Sequence, residues 1–154
     1  NERHWQWATE PNAREKASFL KENILPIQES GQLKFVVDGP AISAFDAGIG
    51  GGMQVRLANG HTDAMMLPQL EYKGKTIIFM ADLLPSTGHI PLPYVMAYDM
   101  FPLTTLGEKE QFLNEAVDKE YVLFFEHDPV NECCILQRTE KGIRAGACFK
   151  LSEL

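Results

Sequence analysis

The stretch KTIIFMADLLPSTGH, Lys75–His89, decides the interpretation of the fold. Its apolar residues follow one another without the polar alternation of a half-exposed strand, a pattern typical of a strand buried on both faces. The run ends at a carboxylate, Asp82, and His89 follows seven residues later. Removing a carboxylate from water is costly unless it has a partner. The stretch therefore predicts a central strand with a polar site at its end.

The segments on either side of this stretch alternate between helix and strand patterns. Gly74 lies in a short turn that predicts a hairpin with the apolar run before it. Asn12 with Glu15, and Thr105 with Glu108, have the spacing of capping boxes at two helix starts. We predict helices over 12–31 and 105–119 and strands over 33–37, 41–46, 53–57, 65–72, 76–81, 121–125, 133–138 and 143–151. This order is typical of an α/β (α+β) domain whose helices cover one face of a mixed sheet.

The composition is that of a soluble globular protein. A length of 154 residues is typical of one domain, so we expect residues 1–154 to form a single unit. The net charge of −7 gives no electrostatic reason to bind nucleic acid or an anionic membrane surface. No apolar run approaches the roughly 20 residues needed to span a bilayer. We therefore expect neither nucleic acid nor a membrane among the partners.

The cysteines bear on the cellular compartment. Cys133, Cys134 and Cys148 are odd in number, and two of them are adjacent, which makes a poor disulfide framework. The paired C-x-x-C spacing of a zinc site is missing as well. We interpret all three as packed side chains in a reducing compartment, which predicts a cytoplasmic location.

Three side chains that can bind metal lie where a predicted strand gives way to a loop. His61 lies in GHT after a turn glycine, Asp82 ends TIIFMAD, and His127 follows an apolar strand in FFEHDP. Strand ends are where α/β scaffolds assemble sites, and imidazole with carboxylate suits zinc, manganese or iron. These residues alone leave the question open, because Asp82 could instead cap a helix beginning at Leu83 or pair with an arginine.

The order of these motifs resembles that of metallo-β-lactamase superfamily hydrolases. GHT at 60–62, AD with LLPS at 81–86 and EHD at 126–128 occur as in the C-terminal half of such enzymes. The resemblance is greatest to the branch of quorum-quenching lactonases and methyl-parathion-hydrolase-like enzymes, and AYDMFP at 97–102 is similar as well. It runs from about His4 to the C-terminus. It implies the C-terminal half of a four-layer αββα sandwich.

The resemblance also implies roles for individual residues. His61 would bind one metal ion, His127 would bind a second, and Asp82 would bridge the two as the catalytic carboxylate. The implied cofactors are two divalent ions, with zinc the expected metal. His89 would contact a small-molecule substrate, although a structural or surface role is the alternative. The implied reaction is hydrolysis of a small ester, lactone or phosphotriester by a hydroxide held between the metals.

One departure from the superfamily changes what we expect of the chain itself. The H-x-H-x-D-H signature, which supplies most of the other ligands, is absent. We therefore expect a C-terminal portion of a longer enzyme that is inactive alone and binds metal weakly or not at all, because ligand number governs affinity. A lone half would expose an apolar sheet face, which predicts a homo-oligomer or a second chain. The alternatives are a non-catalytic interaction or assembly module and an iron-dependent redox enzyme on the same fold.

Overall fold

The computed structural model describes residues 1–154, which form two compact units, Asn1–Asp38 and Gly39–Leu154. The sheet and all the predicted site residues lie in the second unit. No helix has the length and hydropathy needed to cross a membrane.

The first unit contains two short helices, α1 (Glu2–Thr9) and α2 (Lys21–Glu29). The helix predicted over 12–31 is wrong in its first half. The Asn12 side chain accepts hydrogen bonds from the backbone N–H groups of Arg14 and Glu15, and these local bonds close a turn instead of starting a helix. The strand predicted over 33–37 is also wrong, because those residues form no strand.

The second unit is built on one sheet of seven strands whose spatial order equals their sequence order. The strands are β1 (Phe45–Asp46), β2 (Gln54–Ala58), β3 (Met65–Tyr72), β4 (Lys75–Phe79), β5 (Val122–Phe124), β6 (Cys133–Thr139) and β7 (Gly142–Phe149). All neighbours are antiparallel except β4 and β5, which are parallel and are connected through α3 (Pro102–Asp118). This mixed sheet with helices confirms the predicted fold class. The strand predicted over 41–46 is reduced to β1 and one isolated bridge at Ala41.

The central strand β4 is apolar on both of its faces. Ile78 is fully buried in the main core with Leu123 and Phe112 from α3. Ile77 belongs to a second apolar cluster with Val122. Burying one such side chain stabilises the fold by about 1.5–3 kcal/mol. Because both faces of β4 are covered by apolar side chains, its sequence shows no polar alternation.

A buried ion pair attaches α3 to the sheet. Arg56 of β2, whose side chain is 1% exposed, donates two hydrogen bonds to the carboxylate of Glu115, at 2.8 and 3.0 Å. The Nε of Arg56 donates to Gln69 of β3 at 2.8 Å. The hydrogen bonds from Arg56 lower the pKa of Glu115 to about 2, against the opposing effect of burial. Helix and sheet are thus held in a fixed relation beneath the loops that carry the site.

Candidate metal centre

The sheet topology brings the three predicted ligand residues to one edge. Because β4 and β5 are parallel, Asp82 and His127, which follow them, emerge at the same end of the sheet. β3 runs antiparallel to β4, so the loop before β3, which carries His61, lies at that end too. The parallel pairing therefore places together residues that are far apart in the sequence.

Asp82 lies between the two imidazoles and offers a different oxygen to each. Its Oδ2 is 3.4 Å from Nε2 of His61, and its Oδ1 is 3.4 Å from Nε2 of His127. Both distances exceed the roughly 2.7–2.9 Å of a charge-assisted hydrogen bond. Two ligands bonded at about 2.0–2.1 Å to one tetrahedral zinc ion are separated by about 3.4 Å. Each of the two spacings is therefore that expected of two ligands of one zinc ion.

The shell formed by these residues is incomplete. No group of three or more His, Cys, Asp or Glu side chains has the arrangement of a metal-binding cluster. The structure instead shows two imidazole–carboxylate pairs that share Asp82. Two ligands per ion are fewer than the four that zinc takes in structural sites. The assignment of His61, Asp82 and His127 as ligands stays a prediction.

The backbone around Asp82 excludes one of the alternatives from the sequence. No α-helix begins at Leu83, so Asp82 does not cap one. Ala81, directly before it, has a φ of 42° in the left-handed region, which is unfavourable for a residue with a Cβ. The second alternative, an arginine partner, is absent too, because the ionisable side chains within 4 Å of Asp82 are the imidazoles of His61 and His127.

A buried carboxylate that we did not predict as a site residue orients His61. Asp99 lies with Oδ1 2.9 Å from Nδ1 of His61, and its other oxygen accepts from the backbone N–H of Met96 at 3.2 Å. A carboxylate on one ring nitrogen fixes which nitrogen remains for a metal, here Nε2. The sequence showed Asp99 only as part of AYDMFP, and its contact with a residue 38 positions away requires the fold.

The loop that carries His61 is docked on the start of α3. Glu108 accepts hydrogen bonds from the backbone N–H groups of Asn59 and Gly60, at 2.8 and 3.0 Å. The backbone N–H of Phe101 donates to the carbonyl of Gly60 at 2.8 Å. The capping box predicted for Thr105 and Glu108 is therefore wrong, since α3 begins at Pro102 and Glu108 bonds to this loop. Glu108 has the spacing from Thr105 that a capping box requires, but its carboxylate accepts hydrogen bonds from Asn59 and Gly60, which are distant in sequence.

His127 is held by bonds between two loops. Its backbone N–H donates to the carbonyl of Pro85 at 3.1 Å. The neighbouring Asp128 accepts from the backbone N–H and the hydroxyl of Thr87, at 2.9 and 2.7 Å. Burial raises the pKa of Asp128, but the hydrogen bonds from Asn131, Thr87 and Val130 outweigh it and hold the pKa well below its usual range. Asp128 is therefore an ionised acceptor at neutral pH.

His89 is half-buried near the same edge. Its Nδ1 lies 2.9 Å from the hydroxyl of Ser86. Burial lowers the pKa of His89, as does Lys109, while Asp99 and Asp82 oppose the shift. The fully buried Lys109 donates to the carbonyls of the next loop, at Pro91, Leu92 and Tyr94, and burial lowers its own pKa to about 8. His89 is thus a neutral imidazole within electrostatic range of Asp82, and its contact with substrate stays a prediction.

Comparison with known proteins identifies the fold. No protein-family model matches the chain, and no curated protein sequence matches it either. A probable metal-dependent hydrolase from Staphylococcus aureus aligns over 97% of this chain and 50% of its own, with 23% identity and a TM-score of 0.75. The hydrolase AbOPH of the beta-lactamase superfamily aligns over 94% and 53%, with 17% identity and a TM-score of 0.72. The dizinc quorum-quenching lactonase AidC aligns over 95% and 52%, with 19% identity and a TM-score of 0.66.

These matches confirm the resemblance inferred from the motifs at the level of the fold. The chain spans about half the length of each matched structure. The mixed sheet and its helices therefore have the fold of about half of each of these structures.

Proposed function

We propose that this chain, which has the fold of beta-lactamase-superfamily hydrolases over half their length, is the C-terminal half of a metal-dependent hydrolase acting on a small ester, lactone or phosphotriester. The observation that carries the proposal is the position of Asp82, with one oxygen directed to His61 and the other to His127. The matched structures include a probable metal-dependent hydrolase and a dizinc lactonase, which supports the reaction class and the use of divalent metal.

Each residue has a defined task in this proposal. His61 and His127 would each hold one divalent ion through Nε2, and Asp82 would hold both. When bound, such ions lower the pKa of water and polarise a scissile carbonyl or phosphoryl group. Asp99 occupies Nδ1 of His61, so Nε2 is the ring nitrogen that would bind the ion. His89, neutral and at the same edge, would contact the substrate.

The catalytic form would require residues that the chain does not contain. His61, Asp82 and His127 fill only part of two metal shells, so we expect weak metal binding and no turnover from the chain alone.

The hydroxyl of Thr62, next to His61, is buried without a hydrogen-bond partner. A buried hydroxyl without a hydrogen-bond partner lowers the stability of the fold by about 1–3 kcal/mol. A partner segment could relieve that cost only if the loop rearranged to bring the hydroxyl within its reach.

The sheet face opposite the main core favours a partner as well. This face carries the cluster around Ile77 and Val122, and on it Leu70 and Tyr72 of β3 are 36% and 43% exposed. In the complete hydrolase we expect the other half of the four-layer sandwich to cover it, and in the isolated chain a second copy. Light scattering tests this expectation, because a monomer at high concentration would contradict it.

The upstream coding sequence provides the first test of the proposed function. An H-x-H-x-D-H motif before Asn1 would supply the missing ligands, and its absence from the complete gene product would contradict hydrolysis by this mechanism. The complete protein is then assayed with lactone, ester and phosphotriester substrates while its metal content is measured. Bound iron without hydrolysis would favour the redox alternative. A complete protein with neither metal nor turnover would favour an assembly module.

A further inference from the structure

We infer that Asp128 is a positioning residue that fixes His127 beside Asp82 by clamping the loop after β4 to the loop after β5. The importance of the clamp for catalysis rests on the proposed function, in which His127 holds a metal ion. The clamp itself is a property of the chain and can be tested without metal.

The carboxylate of Asp128 divides its hydrogen bonds between two loops. Oδ1 accepts from the backbone N–H groups of Val130 and Asn131, at 3.0 and 2.8 Å, and so closes the turn in which Asp128 lies. Oδ2 accepts from the backbone N–H and hydroxyl of Thr87, at 2.9 and 2.7 Å. Thr87 is 41 positions away in sequence. One side chain thus joins a local turn to a distant loop.

The clamp lies close to both proposed ligands. Thr87 follows Asp82 by five positions, and Asp128 is the residue directly after His127. Between them, the backbone N–H of His127 donates to the carbonyl of Pro85 at 3.1 Å. The two loops therefore share one backbone hydrogen bond, two bonds to the Asp128 carboxylate, and one from the Asn131 side chain to the Thr87 hydroxyl at 3.3 Å. Hydrogen bonds to charged acceptors are stronger than neutral ones.

The exposure of His127 shows why such a clamp is needed. Its side chain is 55% exposed, whereas that of His61 is 19% exposed and contacts the buried Asp99. A ring with more than half of its surface in water makes few packing contacts, so its position follows from its backbone. The hydrogen bonds from Thr87 to the neighbouring Asp128 hold the backbone of His127 in position relative to Asp82.

Two substitutions separate the clamp from a purely local turn. Thr87→Val removes the hydroxyl that donates to Asp128 and accepts from the Asn131 side chain, and it leaves the backbone bonds from Val130 and Asn131 to Asp128 intact. Asp128→Asn keeps the side-chain size but leaves one oxygen where two are used. The control is Asp46→Asn, because the Asp46 carboxylate accepts only a local bond from Gly48. Each full chain is isotope-labelled, and amide hydrogen exchange is followed by NMR.

The diagnostic amide is that of His127, which bonds to Pro85 and not to Asp128. We expect its exchange to accelerate by about tenfold in both Thr87→Val and Asp128→Asn, since each loses a hydrogen bond to a charged group. The amides of Val130 and Asn131 should accelerate only in Asp128→Asn. The nuclear Overhauser effect between the His127 ring and the Asp82 side chain should weaken in both variants.

Unchanged exchange at His127 in Thr87→Val, with the contact to Asp82 retained, would overturn the inference and leave Asp128 as a local turn residue. Thr87→Val keeps this test valid if Asp128→Asn fails to fold. Lack of hydrolysis by the complete protein would instead contradict the proposed function and leave the clamp standing.

Discussion

The carboxylate of Asp99 lies 2.9 Å from Nδ1 of His61, and the Asp99 side chain is completely shielded from solvent. The pair spans 38 positions in the sequence and joins the loop before β3 to the segment that leads into α3. His61 is therefore oriented by a residue that no local pattern connects to it. Its Nε2 is the ring atom that faces Asp82.

Under the proposed function, we predict that Asp99→Asn weakens zinc binding by the complete protein. An asparagine side chain has one carbonyl oxygen, so it cannot accept from both His61 and the N–H of Met96. Loss of a partner of this kind lowers metal affinity by about 10–100-fold. Competition with a chelator measures the affinity, and Asp46→Asn serves as the control. Equal affinities in all three proteins would show that His61 does not depend on Asp99.

Under the proposed function, Asp82 and His89 predict different kinetic signatures in the complete protein. Asp82→Ala removes the only side chain that contacts both His61 and His127, so we expect turnover to be abolished. His89→Ala leaves both of those pairs in place and should change the relative kcat/KM values among substrates. Steady-state kinetics on a lactone and a phosphotriester measure both effects. Retained turnover in Asp82→Ala would contradict the two-metal assignment.

Glu115 predicts a defined loss of stability in acid. Its pKa falls from an ordinary 4.5 to about 2, so between these values the unfolded chain binds more protons than the folded chain. The stabilisation by Glu115 is therefore complete above about pH 4.5 and is lost as the pH falls toward 2. Glu115→Gln should lower the free energy of unfolding by about 2–3 kcal/mol at pH 7, because Arg56 stays buried without its counter-ion.

Urea unfolding at pH 7 and pH 3 checks the Glu115 prediction. The difference between the original chain and Glu115→Gln should shrink at pH 3. Glu110→Gln, an exposed carboxylate on the same helix, is the matched control and should change the unfolding free energy by about 0.5 kcal/mol or less. A difference that is the same at both pH values would mean that Glu115 is not stabilised by its charge.

Most strands of the sheet could be predicted from the sequence, because the residue patterns that indicate a strand are local. The apolar run around Ile78 and the turn at Gly74 predicted β4 and its hairpin, since burial on both faces removes polar alternation. The helix predicted from Asn12 was wrong because the same side chain can close a turn or cap a helix. Local sequence does not distinguish these outcomes.

Only some of the site residues could be predicted from the sequence, for a different physical reason. His61, Asp82 and His127 could be proposed because each follows or precedes a recognisable strand. Asp99 and Asp128 could not, since their functions depend on partners 38 and 41 positions away. The bond from Thr87 to Asp128 forms because the parallel alignment of β4 and β5 brings their ends to one edge, and the contact of His61 with Asp99 forms because the loop before β3 docks on the start of α3.

Gly60 and Gly107 provide a paired test of how α3 supports the loop of His61. A Cβ on Gly60 would collide with the backbone and side chain of Thr105, whereas a Cβ on Gly107 would meet nothing within 4 Å. Gly60→Ala should therefore destabilise the chain by about 1–3 kcal/mol, since the loop must move away from the helix. Gly107→Ala should stabilise it by up to about 1 kcal/mol, because alanine is the better helix former.

Thermal unfolding measures both of these changes. In the Gly60→Ala chain, NMR should also show the His61 ring displaced from Asp99, because the N–H of Gly60 donates to Glu108 and its carbonyl accepts from Phe101. The contact between His61 and Asp99 should be unchanged in Gly107→Ala, although Gly107 lies in α3, the helix on which the loop packs. If Gly60→Ala were as stable as the original chain and kept the contact between His61 and Asp99, close packing of the loop on α3 would not be what positions His61.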